Sequence, residues 1–351
     1  MKTKYLLLAL PCLVLLFSSC KKDTDDTTSS SSSGLTFVSS DSITYKITSD
    51  STCYIYKATN PTGVYLLSKL IYNKKSYRID SIAVAAFSNC INMTSITLPS
   101  SITSIKVNTF SYCTGLTSIS LPSSITSIGD SAFYHCSGLT SIAIPNAVTA
   151  IKNWTFSNCT GLTSITIPGA VTSIGDYAFY YCTGLTSVTI PGSVTSIGSS
   201  AFYYCIGLTS VTIPASITSI GNDAFGFCTT LTSVTIPGSV VSISNNAFNN
   251  AGLTSVTIPA SVTSIGSGAF SNTPLVSVTI PASVTSIGDY AFNGTALTSV
   301  HCKSTNPSTI TLGSSVFSAI PSSCVLYVPS GSKSLYAAAS KWSSFASIVE
   351  E

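Results

Sequence analysis

The stretch Leu162-Thr163-Ser164-Ile165-Thr166-Ile167-Pro168-Gly169-Ala170-Val171-Thr172-Ser173-Ile174-Gly175-Asp176-Tyr177-Ala178-Phe179 decides the fold, because the middle of the chain repeats it with small changes. Pro99, Pro122, Pro145, Pro168, Pro191, Pro214 and Pro237 lie 23 residues apart, and Pro259 and Pro281 follow at intervals of 22. Phenylalanine keeps the same beat in ten units from Phe87 to Phe292. Two columns of unrelated residue types with one period mark a solenoid, in which each unit is a coil that buries its apolar face only against its neighbours.

Inside a unit, Leu185, Val188 and Ile190 alternate with Ser187 and Thr189. That is the period of a strand with one buried face, so each coil is expected to supply one parallel strand. Proline directly after the strand lacks a ladder donor and ends it at the same place every time. Val194, Ile197 and Phe202 then point inward, and Gly198 supplies a tight corner.

The combination Leu-Thr-Ser-(Val/Ile)-x-(Ile/Leu)-Pro, then (Val/Ile)-Thr-Ser-Ile-Gly, then Ala-Phe with Cys three residues on, resembles the BspA-type leucine-rich repeats of bacterial surface proteins over roughly residues 79–300. The resemblance implies a leucine-rich-repeat solenoid: a right-handed, horseshoe-like coil, β-rich with few helices, one parallel strand per 22–23 residues, capped at both ends. Ile43–Ile47 and Lys75–Ile79 resemble the family's N-terminal cap strands, placing that cap at 35–78. Cys324–Pro329 with Tyr336, Trp342, Phe345, Ile348 and Glu350 resembles its closing segment, within a C-terminal cap at 301–351.

Residues 1–19 carry Lys2 and Lys4, an apolar run from Tyr5 to Phe17, and Ser18-Ser19 ahead of Cys20, which reads as a signal peptide. The run is too short for a spanning helix, and Pro11 interrupts it. Leu16-Phe17-Ser18-Ser19-Cys20 resembles a lipobox, with Phe17 where a smaller aliphatic residue is usual, so Cys20 is the expected lipidation site. Residues 20–34, polar and Ser/Thr-rich, read as a flexible stalk. The acidic cluster Asp23, Asp25 and Asp26 resembles surface-export signals of Gram-negative lipoproteins. Outer-membrane attachment through the lipid alone, with display at the cell surface, follows as the expectation.

Only 8% of residues are charged, and the net charge of +3 falls to +1 once Lys2 and Lys4 leave with the leader, so nothing global points to nucleic acid. The chain has two histidines, His135 and His301, on distant repeats, and no triad can be assembled. Seven cysteines from Cys90 to Cys228 stand one per coil, a ladder rather than the converging set a metal needs. They read as buried free thiols filling one turn design, because the turn loses a residue where Cys disappears after Phe248. Among the cap cysteines, Cys302 with Cys324 is the expected disulfide. Asp130, Asp176, Asp223 and Asp289 sit at corners, where they would be solvated or bond a neighbouring turn N–H. No enzymatic role, cofactor or metal is expected.

Two surfaces remain. Ser187, Thr189, Ser210, Thr212, Ser233 and Thr235 belong to two ladders on the strand face, read as soluble β-formers, as a dedicated ligand surface or, more remotely, as an ordered-water or ice-binding face. Tyr177, Tyr180, Tyr181, Tyr203, Tyr204 and Phe227 cluster beside the Phe-to-Cys turn, with Tyr134 and Tyr112 continuing the stripe. They are either a structural ladder or a binding patch for a protein or, alternatively, a glycan. The resemblance implies an adhesin-like protein that contacts host-matrix or neighbouring-cell proteins.

Overall fold

In the computed structural model of the chain, residues 34–39 and 42–351 are described; the leader, Cys20 and the tract to Ser33 lie outside the described residues. Most Leu-Thr-Ser-Val-Thr-Ile segments give a short strand, those around Ala143, Thr235 and Thr257 pair through single bridges, and the whole stacks in parallel into a β-solenoid of about 13 turns with almost no helix. Ser187–Thr189 pairs with Ser164–Thr166 on one side and Ser210–Thr212 on the other. Register never slips between these three: Ile165, Val188 and Val211 stack inward, while Thr166, Thr189 and Thr212 stack outward. A one-residue slip would turn the whole apolar column to water, so burial itself selects this register.

A second parallel sheet, which the sequence pattern does not announce, forms from the Thr-Ser-Ile segments. Ser173–Ile174 and Ser196–Ile197 are typical members, with Ile inside and Ser outside. Between the strands of one coil, the Pro191 carbonyl accepts the Val194 N–H at 3.0 Å and closes the turn that proline begins. Gly198 has an ordinary negative φ; its role is close approach, since a Cβ there would lie 2.5 Å from the Asp176 backbone nitrogen of the preceding coil.

The third wall is an arc centred on the repeated phenylalanine. Its N–H groups donate to the next coil, as in Tyr177 to Ser199 O at 2.9 Å, Phe179 to Ala201 O at 2.8 Å and Tyr181 to Tyr203 O at 2.8 Å. Residues two before and two after the phenylalanine have positive φ in every coil, for example Tyr177 at 56° and Tyr181 at 57°. The ring between them points inward. From Phe87 to Phe317 these rings form one continuous stack with centroids 5.1–5.6 Å apart. Phe317 extends the column beyond Phe292 because the turn at Pro307–Thr309 lengthens that coil without disturbing the stack.

At the N-terminal end, Thr36–Val38, Ile43–Ile47 and Thr52–Ala58 pair antiparallel, and Thr52–Ala58 runs parallel to Lys75–Ile82. Lys69–Tyr72 completes that sheet, while Gly63–Leu66 begins the first sheet beside Met93–Thr97. At the other end, parallel stacking runs past Val300 through Val325–Val328 to Ser347–Glu350. The helix Lys333–Ala338 and the turn after it bury Tyr336, Trp342 and Phe345. Among the described residues no helix is long and apolar enough to cross a membrane.

Cys302 and Cys324 are not joined, which corrects the disulfide expected above. Register explains it: Val300 pairs with Leu326, so Cys302 falls opposite Val328 and Cys324 opposite Thr298. Four positions along a strand is roughly 13 Å, beyond the reach of a disulfide. The Cys302 sulfur instead accepts the Tyr336 hydroxyl at 3.1 Å.

Candidate aromatic binding surface

The six aromatic side chains singled out from the sequence come together on the arc wall. They occupy three columns, set by their offset from the core phenylalanine. Tyr180 and Tyr203 follow it by one residue and stack at 5.4 Å, with planes within 6°. Tyr181 and Tyr204 follow it by two and stack at 4.2 Å and 9°, and Phe227 continues that column 5.7 Å from Tyr204. Tyr177, two residues before the phenylalanine, lies against Tyr180 edge to face at 5.6 Å.

Two residues that the sequence pattern left out of the stripe join it. Trp154, in the column of Tyr177, stacks on that ring at 4.0 Å and 9°. His135, in the column of Tyr181, stacks on Tyr112 at 4.9 Å. Tyr134 bridges them, 4.6 Å from His135 and 6.2 Å from Trp154. Period alone could have found Trp154, since it precedes Tyr177 by 23 residues. The surface therefore runs without a break across the coils of Phe110 to Phe225.

Burial is partial along the stripe, and Tyr112 at one end is 41% exposed. Burial, with smaller contributions from neighbouring tyrosines, holds the Tyr180 and Tyr203 phenols above their ordinary value, so they remain neutral hydrogen-bonding groups. Burial also pushes the His135 imidazole down. Where the stripe ends, Gly226 takes the place of a tyrosine. A Cβ there would meet Tyr203 Cδ2 at 2.9 Å, so the glycine lets that ring lie flat over the next coil.

The remaining candidates take structural positions. The seven cysteines are buried and free, and from Cys113 onward each thiol donates to the phenylalanine carbonyl 26 residues earlier, at 3.0–3.2 Å. Asp130, Asn153 and Asp176 each accept a backbone N–H from the next corner at 2.7–3.0 Å, a structural role that links neighbouring coils. Asp223, at a left-handed position, is raised by burial, against a lowering bond from Asn246. On the strand face, Ser187 and Thr189 are exposed, and the adjoining Thr186 and Thr209 hydroxyls donate to the carbonyls of Thr163 and Thr186 at 3.1–3.2 Å. Among the described residues no group of three or more His, Cys, Asp or Glu side chains is placed to hold a metal ion.

Known proteins give the same fold. A leucine-rich repeat protein from Bacteroides ovatus is 29% identical, superposes with a TM-score of 0.63, and is matched over 89% of this chain and 76% of its own. The pneumococcal vaccine antigen PcpA is 19% identical with a TM-score of 0.53, over 91% of this chain and 99% of its own, a likeness of fold alone. No curated protein matches this chain. The description of the BspA type leucine rich repeat region matches residues 80–209 and 195–324 in six copies, and on that match the chain belongs to the BspA-type leucine-rich repeat family.

Proposed function

We propose that this chain is a non-enzymatic, adhesin-like binding protein, lipid-anchored through Cys20 to the outer membrane and displayed at the cell surface. Its aromatic stripe is the contact for a protein of the host matrix or a neighbouring cell. The observation that carries this reading is the placement of Trp154, Tyr177, Tyr181, Tyr204 and Phe227 at positive φ. Bulky side chains there cost roughly 1–2 kcal/mol each in backbone energy. Most equivalent positions in other coils hold Asn, Ser, Gly, Ala or Asp, so folding alone does not call for rings. Rigid amphipathic rings in a contiguous patch are the usual anchors of protein interfaces.

The stacking also ranks protein above glycan. A sugar ring packs on the open face of an aromatic, and here Tyr180, Tyr181, Tyr203 and Tyr204 cover one another's faces, presenting edges and hydroxyls instead. Replacing those four tyrosines by Ser, followed by binding to immobilised extracellular-matrix proteins beside a glycan array, tests the reading. Binding to a matrix protein that falls roughly thirtyfold, equivalent to about 2 kcal/mol, supports it. Loss of glycan binding alone transfers the site to the alternative ligand. Unchanged binding to both removes the stripe from consideration. The anchor is tested separately: in a high-salt wash, which also lifts charge-based contacts with lipid, Cys20→Ala is expected to release a folded protein from the membrane fraction, because stalk and solenoid are independent modules.

A further inference from the structure

The N-terminal cap carries a surface that the aromatic stripe does not explain. Lys46, Lys57, Lys69, Lys74, Lys75 and Arg78 face Asp41 and Asp50 within residues 35–78, a net +4. Residues 79–300 hold Lys106 and Lys152 against Asp80, Asp130, Asp176, Asp223 and Asp289, a net −3. Residues 301–351 add Lys303, Lys333 and Lys341 against Glu350 and Glu351, a net +1, so the positive charge is concentrated at the end that residues 1–33 lead into.

Strand register brings Lys46, Lys57, Lys69 and Arg78 to one face, with Lys74 in the turn that joins two of its strands. Ile43, Tyr45 and Ile47 are buried and leave Lys46 outside, while Cys53 and Ile55 leave Tyr54 and Tyr56 outside. Lys46 Nζ lies 3.7 Å over the Tyr56 ring. Lys69 and Arg78 are direct cross-strand partners, both exposed. Like charges directly opposite each other destabilise a sheet, so that pairing is a cost to folding and points to an anionic partner. Lys75 is engaged by Asp50 at 3.4 Å, and Asp80 is the acid two residues beyond Arg78.

Apolar side chains stand on the same sheet and on the edge of the neighbouring one. Tyr56 and Ile71 on the cap sheet are 45% and 41% exposed. At the same end, Val64 and Leu66 on the edge strand of the first sheet are each 76% exposed. They stand in the columns that hold Ser95 and Thr97 one coil later, so polar ladder residues give way to aliphatic ones at this end, where they are far more exposed than Val349, at 39%, in the same columns at the other end. A soluble polyanion would satisfy the cations and leave those side chains wet. Cations, tyrosines and exposed aliphatics together match the boundary between phosphate headgroups and acyl chains.

We propose that the basic face of the N-terminal cap docks on an anionic phospholipid surface, with Lys57, Lys69, Lys74 and Arg78 meeting phosphates and the exposed aliphatics entering the headgroup layer. The net negative coils are repelled by the same surface, so the solenoid stands away from it and the aromatic stripe is held clear. This inference rests on charge and exposure in the cap, not on lipidation of Cys20 or on the stripe.

Vesicle co-sedimentation of the full chain carrying Cys20→Ala tests it without a lipid of the protein's own. Phosphatidylcholine vesicles are compared with phosphatidylcholine mixed with phosphatidylglycerol. Binding is expected only to the mixed vesicles, and raised salt should weaken it. Adding Lys57→Gln, Lys69→Gln, Lys74→Gln and Arg78→Gln is expected to reduce it at least about tenfold, with the circular dichroism spectrum unchanged. Leader and stalk are identical in the two proteins and cancel in that ratio. Val64→Ser with Leu66→Thr, the residues of the next coil, is expected to give a smaller, few-fold loss. Equal binding to both vesicle types, no response to the four Gln changes, or heparin retention that depends on those cations while vesicles are ignored, would each overturn the proposal.

Discussion

The coils of Phe110–Phe225 and those of Phe248–Phe292 share one backbone and fill it differently. Both place left-handed residues two before and two after the core phenylalanine. In the first group seven of the twelve positions hold Tyr112, His135, Trp154, Tyr177, Tyr181, Tyr204 and Phe227, beside Asn108, Ser131, Asn158, Ser200 and Asp223; in the second the six positions hold Asn246, Asn250, Gly268, Asn272 and Gly294, with Tyr290 the one ring. The column just after the phenylalanine diverges too. Tyr180 and Tyr203 stack there, whereas Asn249 and Asn293 donate to the carbonyls of Ser271 and Ser318 in the next coil. Even the turn differs: Cys thiols bond the preceding coil, while Thr273 and Thr295 bond the phenylalanine carbonyl of their own coil at 2.7 and 2.9 Å. Since one half closes the same arc with asparagine, the rings of the other half are an addition to the fold.

The widest effect should fall on what the two halves have in common. Phe202 and Phe270 are both fully buried in the one ring stack. Phe202→Ala and Phe270→Ala should each cost about 3–5 kcal/mol in chemical denaturation, with no difference between the halves. A much smaller loss at Phe202 would mean that the surface rings support the aromatic half from outside and would break the comparison.

Alkali should separate the halves. Burial pushes the Cys182 and Cys228 thiols from 9.0 up to about 12, and raises Cys136, Cys159 and Cys205 well above the ordinary value. A thiol raised in the folded state contributes stability that is complete below its unfolded value and is lost as pH climbs toward the folded one. The window is therefore pH 9 to about 12. Burial shifts Tyr180 and Tyr203 upward as well, in the same coils. Ala251, Thr273 and Thr295 take the cysteine position in the other half and do not titrate. Brief proteinase K digestion, mapped by mass, should leave both halves intact near neutral pH and open the coils of residues 110–228 first in alkali. Cleavage that begins at 248–295 would contradict this.

Much of the fold could be read from two columns, because proline and phenylalanine act at every coil by the same steric rule. The second sheet could not, since Ser196–Ile197 is too short for its alternation to stand out. The left-handed columns left a trace that periodicity searches pass over: Asn89, Asn108, Asn158, Asn246, Asn250 and Asn272 tolerate positive φ, and the tyrosines hide the pattern by replacing them. Phe317 and the separation of Cys302 from Cys324 both depend on register across the irregular Ser304–Thr309 segment, which local sequence does not encode. Eight members of the stripe were legible through their columns; Trp154 and His135, in the columns of Tyr177 and Tyr112, were missed because each is followed or preceded there by a small polar residue, Asn158 after His135 and Ser131 before Trp154.

Binding should respond more narrowly than pH. The four-tyrosine change to Ser, costing about 2 kcal/mol of affinity, has a matched counterpart in Asn246→Ser, Asn249→Ser and Asn250→Ser. That variant alters the same columns in the other half and should leave affinity unchanged. If both variants lose binding equally, the ligand reads the arc backbone or the whole wall, and the aromatic half has no special status.

The smallest change is the most discriminating, because its sign separates the two accounts of the rings. Tyr181→Asn with Tyr204→Asn rewrites one column of the aromatic half in the language of the other. Positive φ at Tyr181 and Tyr204 costs roughly 1–2 kcal/mol for a bulky side chain and little for Asn, which bonds locally in that conformation. Against that gain stands the Tyr181–Tyr204 stack at 4.2 Å, worth about 0.5–1.5 kcal/mol beyond the area it buries. Over both sites the gain is about 2–4 kcal/mol, which the lost stack and roughly 1–2 kcal/mol of apolar area given up by the two half-buried rings nearly cancel, so folding stability should move by less than about 1 kcal/mol in either direction. Affinity for the matrix ligand should nonetheless fall several-fold, since two of the ring edges on offer are gone. A loss of stability beyond about 2 kcal/mol with affinity per folded molecule intact would make the column a structural ladder. The reverse exchange, Asn250→Tyr with Asn272→Tyr, closes the test: it is expected to leave stability level or slightly lower and to confer no binding, because two rings without Tyr177, Tyr180 and Tyr203 beside them do not form the continuous patch.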